Sequence, residues 1–235
     1  MLIADRLRSG PKNQQYIEWD VRNWSSALDF WLAHTNKNLS SSLALELGTR
    51  NGGLSLWLAE RGACVVSTDL APPAQSAIKL HENRQVSGRI QYELMDATRI
   101  PYESKFDVVV FKSVLGAIGR LGGKDQQQQA VGQIYKALKP GGELFFAENL
   151  LASPVHQFCR RKFVRWGATW RYVSIHEMQQ FLAAFSKVHY STVGFAGAFG
   201  RSEPQRNILS LFDQLLFNHA VPESWRYIIV GVAKK

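Results

Sequence analysis

The stretch Leu43-Ala44-Leu45-Glu46-Leu47-Gly48-Thr49-Arg50-Asn51-Gly52-Gly53-Leu54-Ser55-Leu56-Trp57-Leu58-Ala59-Glu60 decides the fold. Leu43 to Leu47 is a short apolar run of strand length that ends at Gly48. Leu54 to Glu60 has helical spacing and stops at Gly62. Between them the glycines stand as Gly-x-x-x-Gly-Gly, which is not the fingerprint of dinucleotide-binding turns. Glycine permits positive φ and lets a ligand approach the main chain, and the helix behind it offers unpaired N–H groups. Such a turn also serves simply to reverse the chain, so its meaning depends on the residues C-terminal to it.

Those residues repeat the unit. Cys64 to Thr68 reads as a second strand ending at Asp69, and Ala74 to Gln85 as a helix. Ile90 to Met95 is a third strand, and Phe106 to Phe111, with its Val108-Val109-Val110 core, a fourth strand buried on both faces. Gln126 to Leu138 is a helix closed by Lys139-Pro140-Gly141-Gly142, and Glu143 to Ala147 a fifth strand. Alternating strands and helices make a mainly parallel sheet covered by helices. Ligands then bind at the carboxyl ends of the strands. Asp69, at the end of the second strand, is placed to accept hydrogen bonds from a ribose diol. Asp96, after the third, is placed to take an amino hydrogen of adenine.

In this order Glu46-x-Gly48, Asp69, Met95-Asp96-Ala97, Phe106-Asp107-Val108-Val109 and Leu138-Lys139-Pro140-Gly141-Gly142 resemble the class I S-adenosylmethionine-dependent methyltransferases. The similarity is greatest to the small-molecule branch that includes quinone-biosynthesis methyltransferases. It covers about residues 40 to 150. The resemblance implies a Rossmann-like α/β fold: a seven-stranded, mostly parallel sheet with helices on both faces and an antiparallel last strand, for which Tyr227 to Ala233 is suited. It implies S-adenosylmethionine as cofactor, with Glu46, Gly48, Thr49, Arg50 and Gly52 around the methionine end. Asp69 would hold the ribose, Leu70 would pack by the adenine, and Asp96 with the Ala97 amide would meet its amino group. Lys112 and Ser113 would border the reacting methyl. Arg50 stands where the family usually has glycine, and is expected either to crowd the cofactor or to reach its carboxylate.

The flanks are read from pattern. Residues 1–40 are expected to form an N-terminal helical extension or lid, and 41–235 the methyltransferase domain. The extension carries Tyr16, Trp19 and Trp24, then a helix from Ser26 with Ser25 or Ser26 as N-cap. After the fifth strand, Pro154 to Trp166 forms an amphipathic helix with Val155, Phe158, Cys159, Phe163 and Trp166 on one face and Arg160, Arg161, Lys162 and Arg165 close by. Ser174 and Glu177 form a capping box. Lys187 to Val193 is strand-like, and Arg206 to Phe217 helical. Tyr16, Trp19, Arg160, Trp170, Arg171 and Tyr172 are the expected acceptor-site residues, because arginine among aromatics suits an anionic or ring-bearing molecule. Gln126 to Gln129 is expected at the exposed start of its helix.

No nucleophile triad, zinc spacing or HExxH is present, and no metal is expected. Among the histidines His156 is the candidate general base, since it follows the fifth strand; Lys112 and Ser113 are the other catalytic candidates. The net charge of +9 favours anionic partners: a phosphorylated or acidic small molecule or a peripheral membrane surface. It leaves nucleic acid open without favouring it. The expected reaction is methyl transfer to a small, anionic or lipid-associated acceptor. RNA methylation and a catalytically inactive binding module are the alternatives. Cys64 and Cys159 lack the spacing of a redox pair, and Cys64 is expected to be buried. With no apolar leader at the start and no membrane-length run, the expected compartment is the cytoplasm.

Overall fold

The computed structural model describes residues 13–164 and 169–235, with the backbone alone at 121 and 122. In chain order the α-helices longer than three residues are α1 (Val21–Trp24), α2 (Ser26–His34), α3 (Gly53–Ala59), α4 (Gln75–Asn83), α5 (Leu115–Ala137), α6 (Pro154–Phe163), α7 (Ile175–Phe181) and α8 (Glu203–Phe212). The strands are β1 (Leu43–Leu47), β2 (Cys64–Asp69), β3 (Ile90–Leu94), β4 (Phe106–Lys112), β5 (Leu138–Asn149), β6 (Lys187–Val193) and β7 (Ile228–Lys234). They form one sheet in the order β3-β2-β1-β4-β5-β7-β6. β1 through β5 pair in parallel, while β7 runs antiparallel to both β5 and β6. The sheet is thus the seven-stranded, mostly parallel one that the sequence implies, with β7 as its antiparallel strand.

Period-two alternation splits the buried side chains between two faces. Phe145 joins Trp31 and Trp57 on one side, with ring centroids 5.8 and 5.7 Å from Trp31. Its neighbour Phe146 packs on the other side with Phe106, Phe111 and Ile134. The segment before β1 belongs to the first core, since Ile17, Val21, Trp24 and Trp31 are all buried there. Ser25 is helical and makes no side-chain cap; α1 runs into α2, and Ser26 Oγ donates to the Asn23 carbonyl instead. The expected N-cap therefore has no free helix end to satisfy.

Two sequence motifs turn out to serve each other. Lys139 Nζ lies 2.8 and 2.9 Å from the two Asp107 carboxylate oxygens, and Asp107 also accepts the Leu43 N–H. The Lys-Pro-Gly-Gly turn is thereby tied to the entries of β4 and β1, at the amino ends of those strands. The ion pair holds Asp107 below the usual carboxylate range despite partial burial.

Several expectations are corrected. Cys64 is exposed, because it is the first residue of β2 and precedes the buried run. The helix expected from Gln126 forms, and a further helix from Leu115 that the sequence pattern does not reveal precedes it, the two being separated by non-helical Gly123. Gln127 is buried within it and donates to the carbonyls of Leu115 and Arg171. The helix from Pro154 ends at Phe163 and is turned the other way round. His156 faces inward, whereas Val155, Phe158 and Phe163 are exposed. Arg165 and Trp166 lie outside the described residues. The Ser174–Glu177 capping box forms as the spacing predicts.

Candidate active site

At the carboxyl ends of β1, β2 and β4 a cavity of about 810 Å³ opens, and the glycine turn forms one wall of it. The turn is anchored from beneath: Gly48 and Thr49 both donate their N–H to the Thr68 carbonyl at 2.9 Å. Gly48 has φ +75°, and a Cβ there would stand 2.7 Å from the Val114 side chain, so both conformation and space call for glycine. A Cβ on Gly53 would run into the Tyr16 carbonyl, because the chain before α1 crosses directly over the first turn of α3. Arg50 holds φ +47°, a left-handed conformation that favours glycine and that the arginine occupies at a cost. Its guanidinium lies 3.6 Å from the Glu18 carboxylate across the cavity mouth.

Asp69 accepts the Arg50 N–H at 3.1 Å and the Leu70 N–H at 2.8 Å, so both carboxylate oxygens are oriented by main chain. Asp96 Oδ1 accepts from the Thr98 amide and hydroxyl, each at 2.8 Å. Glu46 is buried and accepts from Thr49 Oγ1 and Ser55 Oγ. Desolvation pushes its carboxyl up to about 7 against the pull of those hydrogen bonds. Glu148, buried at the end of β5, is likewise raised to about 7 by desolvation and accepts the N–H groups of Val114 and Leu115 at the start of α5. Burial lowers the Lys112 ammonium, with Glu18, Glu148 and Glu46 opposing and Arg50 adding to the effect. Its Nζ sits 5.0 Å from the Trp24 ring centroid. Ser113 holds φ +59° and its Oγ accepts from Asn149 Nδ2.

Of the residues the sequence singles out for the cofactor, Glu46, Gly48, Thr49, Arg50, Asp69, Leu70, Asp96, Ala97 and Lys112 line this cavity. Gly52 does not; its carbonyl bonds His81 Nε2 at 2.8 Å and it holds the turn from behind. Tyr16, Trp19, Trp170 and Ser113 also line it. Arg160, Arg171 and Tyr172 are not among the lining residues. Arg160 donates to the Leu150 carbonyl at 2.7 Å and lies over the Tyr172 ring, and Arg171 pairs with Glu177. His156 is buried between Ser153 Oγ and the Phe195 carbonyl, and desolvation lowers it to about 4. A neutral imidazole with both nitrogens engaged has a structural part, so the sequence candidate for general base is withdrawn. The sequence reading does not single out Glu18 and Asn149, which also line the cavity. No motif marks them, because both arrive from elements whose approach depends on the tertiary fold.

Residues 45–146 match a family model described as a methyltransferase domain. Over 132 residues the chain is 33% identical to a demethylmenaquinone methyltransferase of Thermus thermophilus, covering 55% of this chain and 54% of that one. It is also 33% identical over 123 residues to a ubiquinone biosynthesis O-methyltransferase of Idiomarina loihiensis, covering 51% and 47%. The chain spans about half the length of the curated relatives it matches. Its fold superposes with a TM-score of 0.62 on a SAM-dependent methyltransferase of Thermotoga maritima, described as a possible histamine N-methyltransferase, at 14% identity over 97% of each chain. Residues 45–146 are therefore similar in sequence to a methyltransferase domain, and the chain as a whole shares the fold of the methyltransferase structure on which it superposes.

Proposed function

We propose that this chain transfers a methyl group from S-adenosylmethionine to a small-molecule acceptor of an anionic or lipid-associated kind. The observation that carries the reading is the shared cavity: the glycine turn, Asp69, Asp96 and the ends of β4 and β5 all open into one space. The residues present fit the cofactor. Asp69 and Asp96 retain lone pairs beyond their internal bonds, the start of α3 lies at the turn, and Trp24 Nε1 is buried with no hydrogen-bond partner.

Asp69 would hold the ribose hydroxyls, Leu70 and Ala97 would flank the adenine, and Asp96 would accept from its amino group. Gly48, Thr49 and Glu46 would border the methionine end. When bound, the cofactor supplies a methyl on a positively charged sulfur, already activated for displacement. The chain's own contribution is then mainly positioning, which can lower such a barrier by roughly 7–11 kcal/mol. Lys112 and Ser113 stand where the acceptor would meet the methyl, and an ammonium there favours an acceptor that arrives as an oxyanion. Residues 13–24, with Tyr16, Glu18 and Trp19 on the cavity, would strap the cofactor in place and exclude water.

The names of the two curated relatives support a reduced quinone precursor as the acceptor class to try first. With methyl-labelled S-adenosylmethionine, label is expected in the organic extract of a reaction containing reduced quinones and absent from added RNA. Label in RNA, or in neither, overturns the acceptor reading. Arg50→Ala is expected to weaken binding of S-adenosylmethionine more than that of its decarboxylated form, since the guanidinium is proposed to reach the carboxylate. Equal weakening, read by calorimetry, would assign Arg50 to the Glu18 pair alone.

A further inference from the structure

α8 and the turn that continues it, Asp213–Phe217, are folded with their polar side inward. Glu203 accepts the main-chain N–H groups of Asp20 and Val21, Ser210 is held by Asp20 and Asn23, and Asp213 accepts from Asn23, Ala196 and Gly197. The opposite side carries Ile208, Phe212, Leu215 and Leu216, which are 61, 51, 65 and 54% exposed. Their spacing of three and four residues sets them along one stripe. α6 is built the same way: His156 and Arg160 bond backbone carbonyls inward, while Val155, Phe158 and Phe163 are exposed.

Both helices meet the same aromatic node. His156 of α6 lies 4.6 Å from the Phe199 ring and 5.0 Å from Phe195, and Phe195 lies 5.5 Å from Phe217. Phe199 and Trp225 at this node are themselves partly exposed. Large side chains left in water on two neighbouring helices mark a surface that something covers. The charges around it say what. Arg161 and Lys162 are exposed on α6, where Lys162 Nζ lies within 6 Å of both the Phe158 and Phe163 rings, and Arg201 is exposed just before α8. Glu203 is turned inward to the main chain of α1. No helix among the described residues is long and apolar enough to cross a membrane, so the contact is peripheral.

We propose that the outward faces of α6 and α8 seat this protein on an anionic lipid bilayer, apolar residues in the interface and basic residues at the headgroups. A two-fold pairing of the same face would set its cations near those of the other copy, which argues against a second molecule as the occupant. The inward side of α8 reaches the cavity wall. Arg206 of α8 lies 5.2 Å from the ring of Trp19, which lines the cavity. The seating does not depend on the proposed reaction and is read without it.

The test is sedimentation with vesicles of phosphatidylcholine alone or mixed with phosphatidylglycerol. The wild type is expected to bind the mixed vesicles at least about tenfold more tightly, with the preference falling as salt rises. Phe158→Ser with Phe163→Ser, and Phe212→Ser with Leu216→Ser, should each weaken binding about tenfold or more. Because these side chains are exposed, the variants should keep the wild-type melting temperature and S-adenosylhomocysteine binding. Arg161→Gln with Lys162→Gln should remove the lipid preference and spare the apolar face. Failure of the wild type to sediment, or wild-type binding by both serine pairs, overturns the proposal. So does light scattering that shows a dimer dissolved by the same serine pairs, which would make a second copy the occupant.

Discussion

Asp69→Ala is expected to weaken S-adenosylhomocysteine binding by about 1.5–3 kcal/mol, roughly 10- to 150-fold, the cost of removing a charged hydrogen-bond partner. The carboxylate stands at the end of β2 with both oxygens aligned by the Arg50 and Leu70 N–H groups, so its orientation is set before a ligand arrives. Asp69→Ala also frees the Arg50 amide, and the turn loses one of its ties to β2. Melting temperature therefore has to be read beside affinity. A folded variant with unchanged affinity by calorimetry would remove Asp69 from the site.

Asp20→Ala is expected to be the most damaging single change to stability, at about 3 kcal/mol or more. Asp20 is buried, accepts from Tyr227 OH and from Ser210 Oγ, and holds φ +47°. Alanine leaves both donors without that partner in the interior and suits the left-handed backbone poorly. Asp20→Asn keeps a polar group of the same shape and tolerates that backbone. Desolvation raises the Asp20 carboxyl to about 7, with Asp213 and Glu203 adding to it and the Tyr227 and Ser210 bonds opposing. In the unfolded chain the same group titrates near about 4. Its contribution to stability is thus complete below about 4 and is lost as pH rises through about 7. The stability difference between wild type and Asp20→Asn should accordingly shift in favour of the variant between about pH 4 and about pH 7. Glu46, Glu148 and the buried histidines titrate in both proteins and cancel in that difference. Denaturation curves whose difference stays constant over this range would contradict the assignment.

The parallel half of the fold is legible in the sequence because its signals are local. The apolar runs of β1 and β4 are buried along nearly their whole length, and a strand-end aspartate follows the glycine turn. The wall of the cavity built from the glycine turn and the ends of β1 and β2 can be read for the same reason. Periodicity fails where it reports a stripe and not which way the stripe faces. Val155, Phe158 and Phe163 have the spacing of a packing face, yet the inward side of α6 is held by His156 and Arg160 bonding main-chain carbonyls. For α8 the partners of the polar side, Asn23 and Asp20, are 187 and 190 residues from Ser210, beyond any local pattern. His156 illustrates the same gap: its position after β5 suggests chemistry, but its ring is spent on Ser153 and Phe195. Glu18 reaches the cavity only because the chain before α1 crosses over Gly53.

On the proposed function, the cavity between the glycine turn and the ends of β4 and β5 takes S-adenosylmethionine. Calorimetric titration of the purified chain with S-adenosylhomocysteine, and separately with NADH, tests it most directly. Saturable one-to-one binding of S-adenosylhomocysteine, weakened by Asp69→Ala, is expected, with no binding of NADH at the same concentrations. Binding of NADH in preference, or no binding of S-adenosylhomocysteine to the folded protein, would contradict it.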